Sequence, residues 1–172
     1  MLTNLVHLVL LPATLALNVP IGCVKIRNRN FEGYLVKGDL YGEEQRNVAY
    51  GASAEQWHIR KGIEGWYKVT NMDVKEELFE SELIWKGHRV FTRPLELGVE
   101  DGLWEIVPGS RYGYFKMKNA GHRDCLALSV RGILNLIVIS AYPECDGKEF
   151  EWQFEKVKCA DESFVEYDET ET

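Results

Sequence analysis

The chain has 172 residues, 45% of them hydrophobic, with five Trp. That is enough for one domain with a full core, and too apolar for a disordered chain. The formal net charge is −7, and six acids with no base lie between Ala160 and Thr172, leaving about −1 for everything before them. A near-neutral body with an acidic tail argues against nucleic acid as a partner, because phosphate binding needs a Lys/Arg surface.

In chain order, Leu5 to Leu15 is mostly apolar, and Thr14-Leu15-Ala16 offers a small-x-small cleavage pattern. Residues 1–16 therefore read as a signal peptide, although the start lacks Lys or Arg. The run is too short to span a bilayer and no other segment could, so a secreted, soluble protein is expected. Cys23, Cys125, Cys145 and Cys159 follow. An even number after an export signal, with no CxxC pair, favours two disulfides over zinc or free thiols. Of three possible connectivities, Cys23–Cys159 with Cys125–Cys145 is preferred. The first bond would tie the ends of the domain together, and the second would close a loop inside its last third.

From residue 24 onward the apolar residues fall in short runs separated by turn chemistry, with no long helical period. The predicted strands are Val24–Ile26, Tyr34–Val36, Val48–Tyr50 and Trp57–Ile59, then Tyr67–Val69, Leu78–Phe79, Val90–Thr92 and Trp104–Val107. Phe115–Met117, Leu126–Leu128, Leu136–Ile139 and Trp152–Phe154 complete twelve. These repeat. Trp57, Trp104 and Trp152 are 47 and 48 residues apart. Seven residues separate Asn28 from Leu35, Asn71 from Leu78 and Asn119 from Leu126, and from Leu to Trp is 22, 26 and 26 residues. Self-similarity at this period marks a chain of repeated supersecondary units. Their approximate bounds are 24–60, 66–108 and 114–158, inside a domain of residues 17–159 followed by an acidic tail, 160–172. Three four-stranded units can close a barrel that leaves no strand edge exposed.

Twelve strands in three units, each with an aromatic in its last strand, resemble a β-trefoil, so the expected fold class is all-β with pseudo-threefold symmetry. The Trp near each unit's end resembles the ricin B-type lectin repeat, with its QxW signature, although Glu55-Gln56, Gly102-Leu103 and Phe150-Glu151 precede the three Trp here. Units one and two resemble secreted arthropod trefoil proteins in an aromatic-Leu strand followed by a run such as Arg89-Val90-Phe91-Thr92. Three equivalent Trp are expected to fill the barrel as a core layer.

Catalysis finds no support. No HExxH spacing, GxSxG elbow or glycine-rich phosphate loop is present, and His58, His88 and His122 are all expected on the solvated surface. No enzyme, cofactor or metal is expected. The lectin resemblance implies carbohydrate binding instead, with the best partial match in unit three. Cys125-Leu126-Ala127 aligns with a Cys-x-Asp segment and Tyr142-Pro143-Glu144-Cys145 with an aromatic-Pro-Cys segment. Tyr142 would stack on a sugar ring. Ala127 stands where the acceptor Asp is expected, so Asp124 or Glu144 would replace it.

A protein partner is the alternative. Plant Kunitz-type inhibitors are secreted trefoils of this size, and the corresponding loop, Arg60-Lys61-Gly62-Ile63-Glu64-Gly65, presents a basic pair. The tail segment Phe164-Val165-Glu166-Tyr167-Asp168-Glu169 resembles acidic peptides that dock on basic surfaces, and its carboxylates would steer a cationic partner. The expected protein is a secreted monomer that binds a glycan or an extracellular protein.

Overall fold

The computed structural model describes residues 18–84, 87–94, 100–131 and 136–161. The expected leader, 1–16, and the acidic run after Asp161 lie outside the described residues. Strand propensity and alternation set the elements. In β1 (Gly22–Asn28), Val24, Ile26 and Asn28 are buried while Lys25 and Arg27 are less so, the period-2 pattern of a half-buried strand. Eleven more strands follow. They are β2 (Tyr34–Tyr41), β3 (Gln45–Gly51), β4 (Trp57–Lys61), β5 (Tyr67–Asn71), β6 (Glu76–Ile84), β7 (His88–Pro94), β8 (Trp104–Pro108), β9 (Tyr114–Asn119), β10 (Cys125–Arg131), β11 (Leu136–Tyr142) and β12 (Trp152–Lys156).

All pairings are antiparallel, and six strands close a ring. β1 pairs with β12, β12 with β9, β9 with β8, β8 with β5, β5 with β4, and β4 returns to β1. Closure removes the unpaired strand edges that would otherwise invite aggregation. The remaining strands form the hairpins β2–β3, β6–β7 and β10–β11. β7 is bonded to both β3 and β11 and so links the three. Among the described residues no helix is long and apolar enough to cross a membrane.

The ring encloses one core in which Trp57, Trp104 and Trp152 are all fully buried. Each indole N–H donates to a backbone carbonyl: Trp57 to Leu35 at 2.8 Å, Trp104 to Leu78 at 3.0 Å and Trp152 to Leu126 at 3.0 Å. The Leu and Trp of each sequence repeat are therefore bonded to each other. A buried indole needs such a partner.

The three Asn close matching turns. Asn28 Oδ1 accepts from the backbone N–H of Asn30 and Phe31, Asn71 Oδ1 from Asp73 and Val74, and Asn119 Oδ1 from Gly121 and His122. Short polar side chains that bond their own backbone two residues on favour such turns. Two positions further along, Glu32, Lys75 and Arg123 each take a left-handed conformation, with φ of 57°, 59° and 65°.

Disulfides join Cys23 to Cys159 and Cys125 to Cys145, with Cα atoms 5.2 and 5.4 Å apart. One expectation fails here. His58 is 4% exposed. Strand alternation would turn it outward, but the chain after β12 crosses that region. Gln56 donates to the carbonyl of Lys158 and accepts from the N–H of Ala160, and the strand partner of His58 in β1 is the disulfide-bonded Cys23.

Candidate functional site

The turn that follows β9 is closed by Asn119. Its side chain is fully buried, and its Nδ2 donates to the carbonyl of Asp101 at 2.7 Å. This anchorage holds His122 and Asp124 beside the start of β7. In the equivalent turns Phe31 and Val74 occupy the place of His122, and Gly33 and Glu76 that of Asp124. The fold therefore does not require a titratable pair there.

Facing this turn, the β6–β7 hairpin supplies Glu80 and His88. Its register shifts between Glu80 and Ile84 on one strand and Val90 and His88 on the other, and bulges of this kind re-aim side chains. His88 Nδ1 lies 2.8 Å from Glu80 Oε1 and 2.9 Å from Asp124 Oδ2. The His88 and His122 rings are 4.8 Å apart. Glu80 is fully buried, and its Oε2 meets no hydrogen-bond donor. Burial pushes the Glu80 carboxyl up to about 8, with the neighbouring carboxylates of Asp124 and Asp101 adding to the effect. Glu80 is therefore largely neutral at pH 7.

The expectation that His88 and His122 are solvated is corrected with that for His58. Both are half-buried, because the turn and the hairpin from different units meet over them. The sequence holds no compact motif for this group, whose members come from two units. Superposing the three turns on their Asn is the signal that singles out His122 and Asp124.

Of the residues expected to bind ligand, Asp124, Tyr142 and Glu144 share one open depression of about 470 Å³ with Ile84, Gly87, His88 and Pro143. Asp124 is 7% exposed and so presents little of its carboxylate, while Glu144 is exposed. The Tyr142 ring meets Phe150 edge-on at 6.3 Å, and its hydroxyl is 3.2 Å from Ser129 Oγ. Gly87, with φ of 112°, lies against the ring: a Cβ there would fall 2.5 Å from Tyr142 Cε1. Ala127 is buried beside Cys125 and Phe150, so its position belongs to the core.

The Arg60-Lys61 loop is less free than its composition suggests. Arg60 pairs at 3.1 Å with the buried Glu77, which Lys68 also reaches at 3.2 Å, while Lys61 and Ile63 are exposed. A larger depression, about 540 Å³, is lined by Tyr41, Glu43, Glu44, Phe79 and Arg93. It combines two carboxylates with a guanidinium already stacked on Phe79, and it contains none of the expected ligand-binding residues.

Neither a protein-family model nor a curated protein matches this chain. Solved structures do. A salivary protein of Culex quinquefasciatus, from the Cysteine and Tryptophan-Rich family, is similar with 29% identity and a TM-score of 0.73, over 84% of this chain and 99% of that one. The β-trefoil BEL has 13% identity and a TM-score of 0.64, over 81% and 97%. SeviL, solved with asialo-GM1 saccharide, has 17% identity and a TM-score of 0.58, over 81% of this chain and all of that one. The chain shares the fold of these trefoil-like proteins.

Proposed function

We propose that this chain is a secreted, non-enzymatic β-trefoil that acts by binding, and that it takes a carbohydrate in the depression beside Tyr142. The observation that carries this reading is the convergence of Asp124, Tyr142 and Glu144 on one depression. Its Tyr142, Pro143 and Ile84 give apolar surface, and Asp124 and Glu144 give acceptors for sugar hydroxyls, the mix of apolar wall and few polar groups typical of ligand sites. Two disulfides suit an exported protein, as does the likeness to a salivary protein. The saccharide complex of SeviL supports the ligand class by fold alone. The test is a broad glycan panel at physiological salt. A saturable hit competed by free sugar and lost in Tyr142→Ala is expected, and silence across the panel overturns the reading.

A protein partner is the second reading, favoured by exposed apolar side chains near the hairpin ends. These are Leu40 and Tyr41 in β2, Leu83 and Ile84 in β6, and Leu136 in β11. Such residues mark interaction surfaces when they cluster. Binding that survives Tyr142→Ala but is lost in Leu40→Ser with Leu136→Ser would select it.

A further inference from the structure

We propose that Glu80, His88, His122 and Asp124 form a binding site for one divalent transition-metal ion, with Zn²⁺ the best match.

The donor set comes first. Two imidazoles with two carboxylates suit zinc and its transition-metal neighbours, whereas Ca²⁺ and Mg²⁺ take oxygen ligands. The spacing fits as well. One ligand atom from each of Glu80, His88 and His122 lies within 4.8 Å of the other two, and Asp124 Oδ2 is 2.9 Å from His88 Nδ1. Zinc bonds of about 2.0–2.2 Å in a tetrahedron place ligand atoms about 3.3–3.6 Å apart. The separations among Glu80, His88 and His122, none above 4.8 Å, lie close to that range, so small side-chain shifts would bring these three donors to it, and Asp124 adjoins them through His88.

An independent observation favours a cation at this place. Glu80 is fully buried, and its Oε2 has no donor among the described residues. Beyond the proton that Glu80 itself can offer Asp124, His88 is the side-chain donor that the two carboxylates share. One His88 nitrogen faces both Glu80 Oε1 and Asp124 Oδ2, and a single N–H divides itself poorly between two acceptors. Orphaned buried acceptors are costly. A dication among these oxygens would satisfy them together.

The support is rigid and the route open. His122 donates its backbone N–H to Asn119 Oδ1 at 3.1 Å, Asp124 is fixed through its carbonyl to the Asn119 N–H at 2.8 Å, and Glu80 and His88 stand on paired strands. His88 and Asp124 also line the solvent-open depression, which gives an ion its path.

The test uses untagged, EDTA-dialysed protein titrated with ZnCl₂ by calorimetry, with metal per chain counted by mass spectrometry after dialysis. One Zn²⁺ per chain is expected. His122→Gln and His88→Gln should each weaken binding at least tenfold, CaCl₂ should give no saturable heat, and Co²⁺ should show a d–d absorption band that His122→Gln abolishes. Absence of stoichiometric zinc, or unchanged affinity in His122→Gln, overturns the site. Near-UV circular dichroism checks each variant's fold, and if His88→Gln does not fold, His122→Gln decides alone. No glycan is present in the titration, so its outcome does not depend on the carbohydrate reading.

Discussion

The indole N–H of Trp152 donates to the backbone carbonyl of Leu126 at 3.0 Å, deep in the barrel. The bond satisfies a strand carbonyl that water cannot reach. Trp152→Phe removes the donor and part of the ring, orphaning the carbonyl and leaving a void. A loss of about 2–4 kcal/mol is expected in urea unfolding. A change no larger than that of the less buried Trp66→Phe would show that the bond contributes nothing.

Asn119 carries three hydrogen bonds in the turn that holds His122 and Asp124. Asn119→Ala should cost about 2–3 kcal/mol. Asn119→Asp keeps the acceptor for Gly121 and His122 but sets a buried carboxylate oxygen against the carbonyl of Asp101, so at neutral pH it should be no more stable than the alanine variant. Denaturant midpoints of the pair would establish the order.

Glu80 gives the stability a pH dependence with a definite sign. Its folded-state carboxyl is raised from 4.5 to about 8, so the folded chain holds a proton that the unfolded chain has released. Its contribution is fully present below about pH 4.5 and is lost as pH rises through 8. The groups around it are His88 and Asp124, with His122 and Asp101 close by. In metal-free protein, wild type should lose up to roughly 4 kcal/mol over this window relative to Glu80→Gln. Parallel wild-type and Glu80→Gln curves from pH 5 to 8.5 would refute the assignment.

Gly87 tests how the depression is built. Gly87→Ala puts a methyl group where Tyr142 Cε1 and the carbonyl of Ala141 already lie, at 2.5 and 2.9 Å, on a backbone with φ of 112°. A destabilisation of about 2 kcal/mol or more is expected, together with a changed near-UV signal from Tyr142. A neutral substitution would mean that the ring does not rest on the glycine.

The two disulfides should differ in worth. Loop-closure entropy assigns about 5 kcal/mol to Cys23–Cys159, which spans 136 residues, and about 3 kcal/mol to Cys125–Cys145, which spans 20. Paired Cys→Ala variants compared by thermal unfolding would give that ranking. The shorter bond, adjoining Glu144, should matter more for any ligand of the depression.

The strands were legible because their apolar runs are short and punctuated, and the repeat because Asn, Leu and Trp recur at fixed offsets for a structural reason. The Asn shapes the turn, and the Leu carbonyl receives the indole. His58 was misread because alternation knows only one sheet, whereas the chain after β12 covers the other face of β4. The Glu80 cluster was invisible for a different reason. Its members sit in two units and come together only when the β6–β7 hairpin meets the turn after β9. Asp124, Tyr142 and Glu144 were found through a resemblance, and no periodicity would have brought them together.

The pairing of β1 with β12 sets when this chain can finish folding. Strand Gly22–Asn28 has neighbours on both sides only once Trp152–Lys156 is available to pair, so the barrel cannot close before the twelfth strand has been made. Early hairpins can form from nearby sequence, but the ring waits for its most distant contact, the slow step in β topologies. Until then β1 offers an open edge, and the Cys23–Cys159 bond can lock the closed ring only after the last strand is in place.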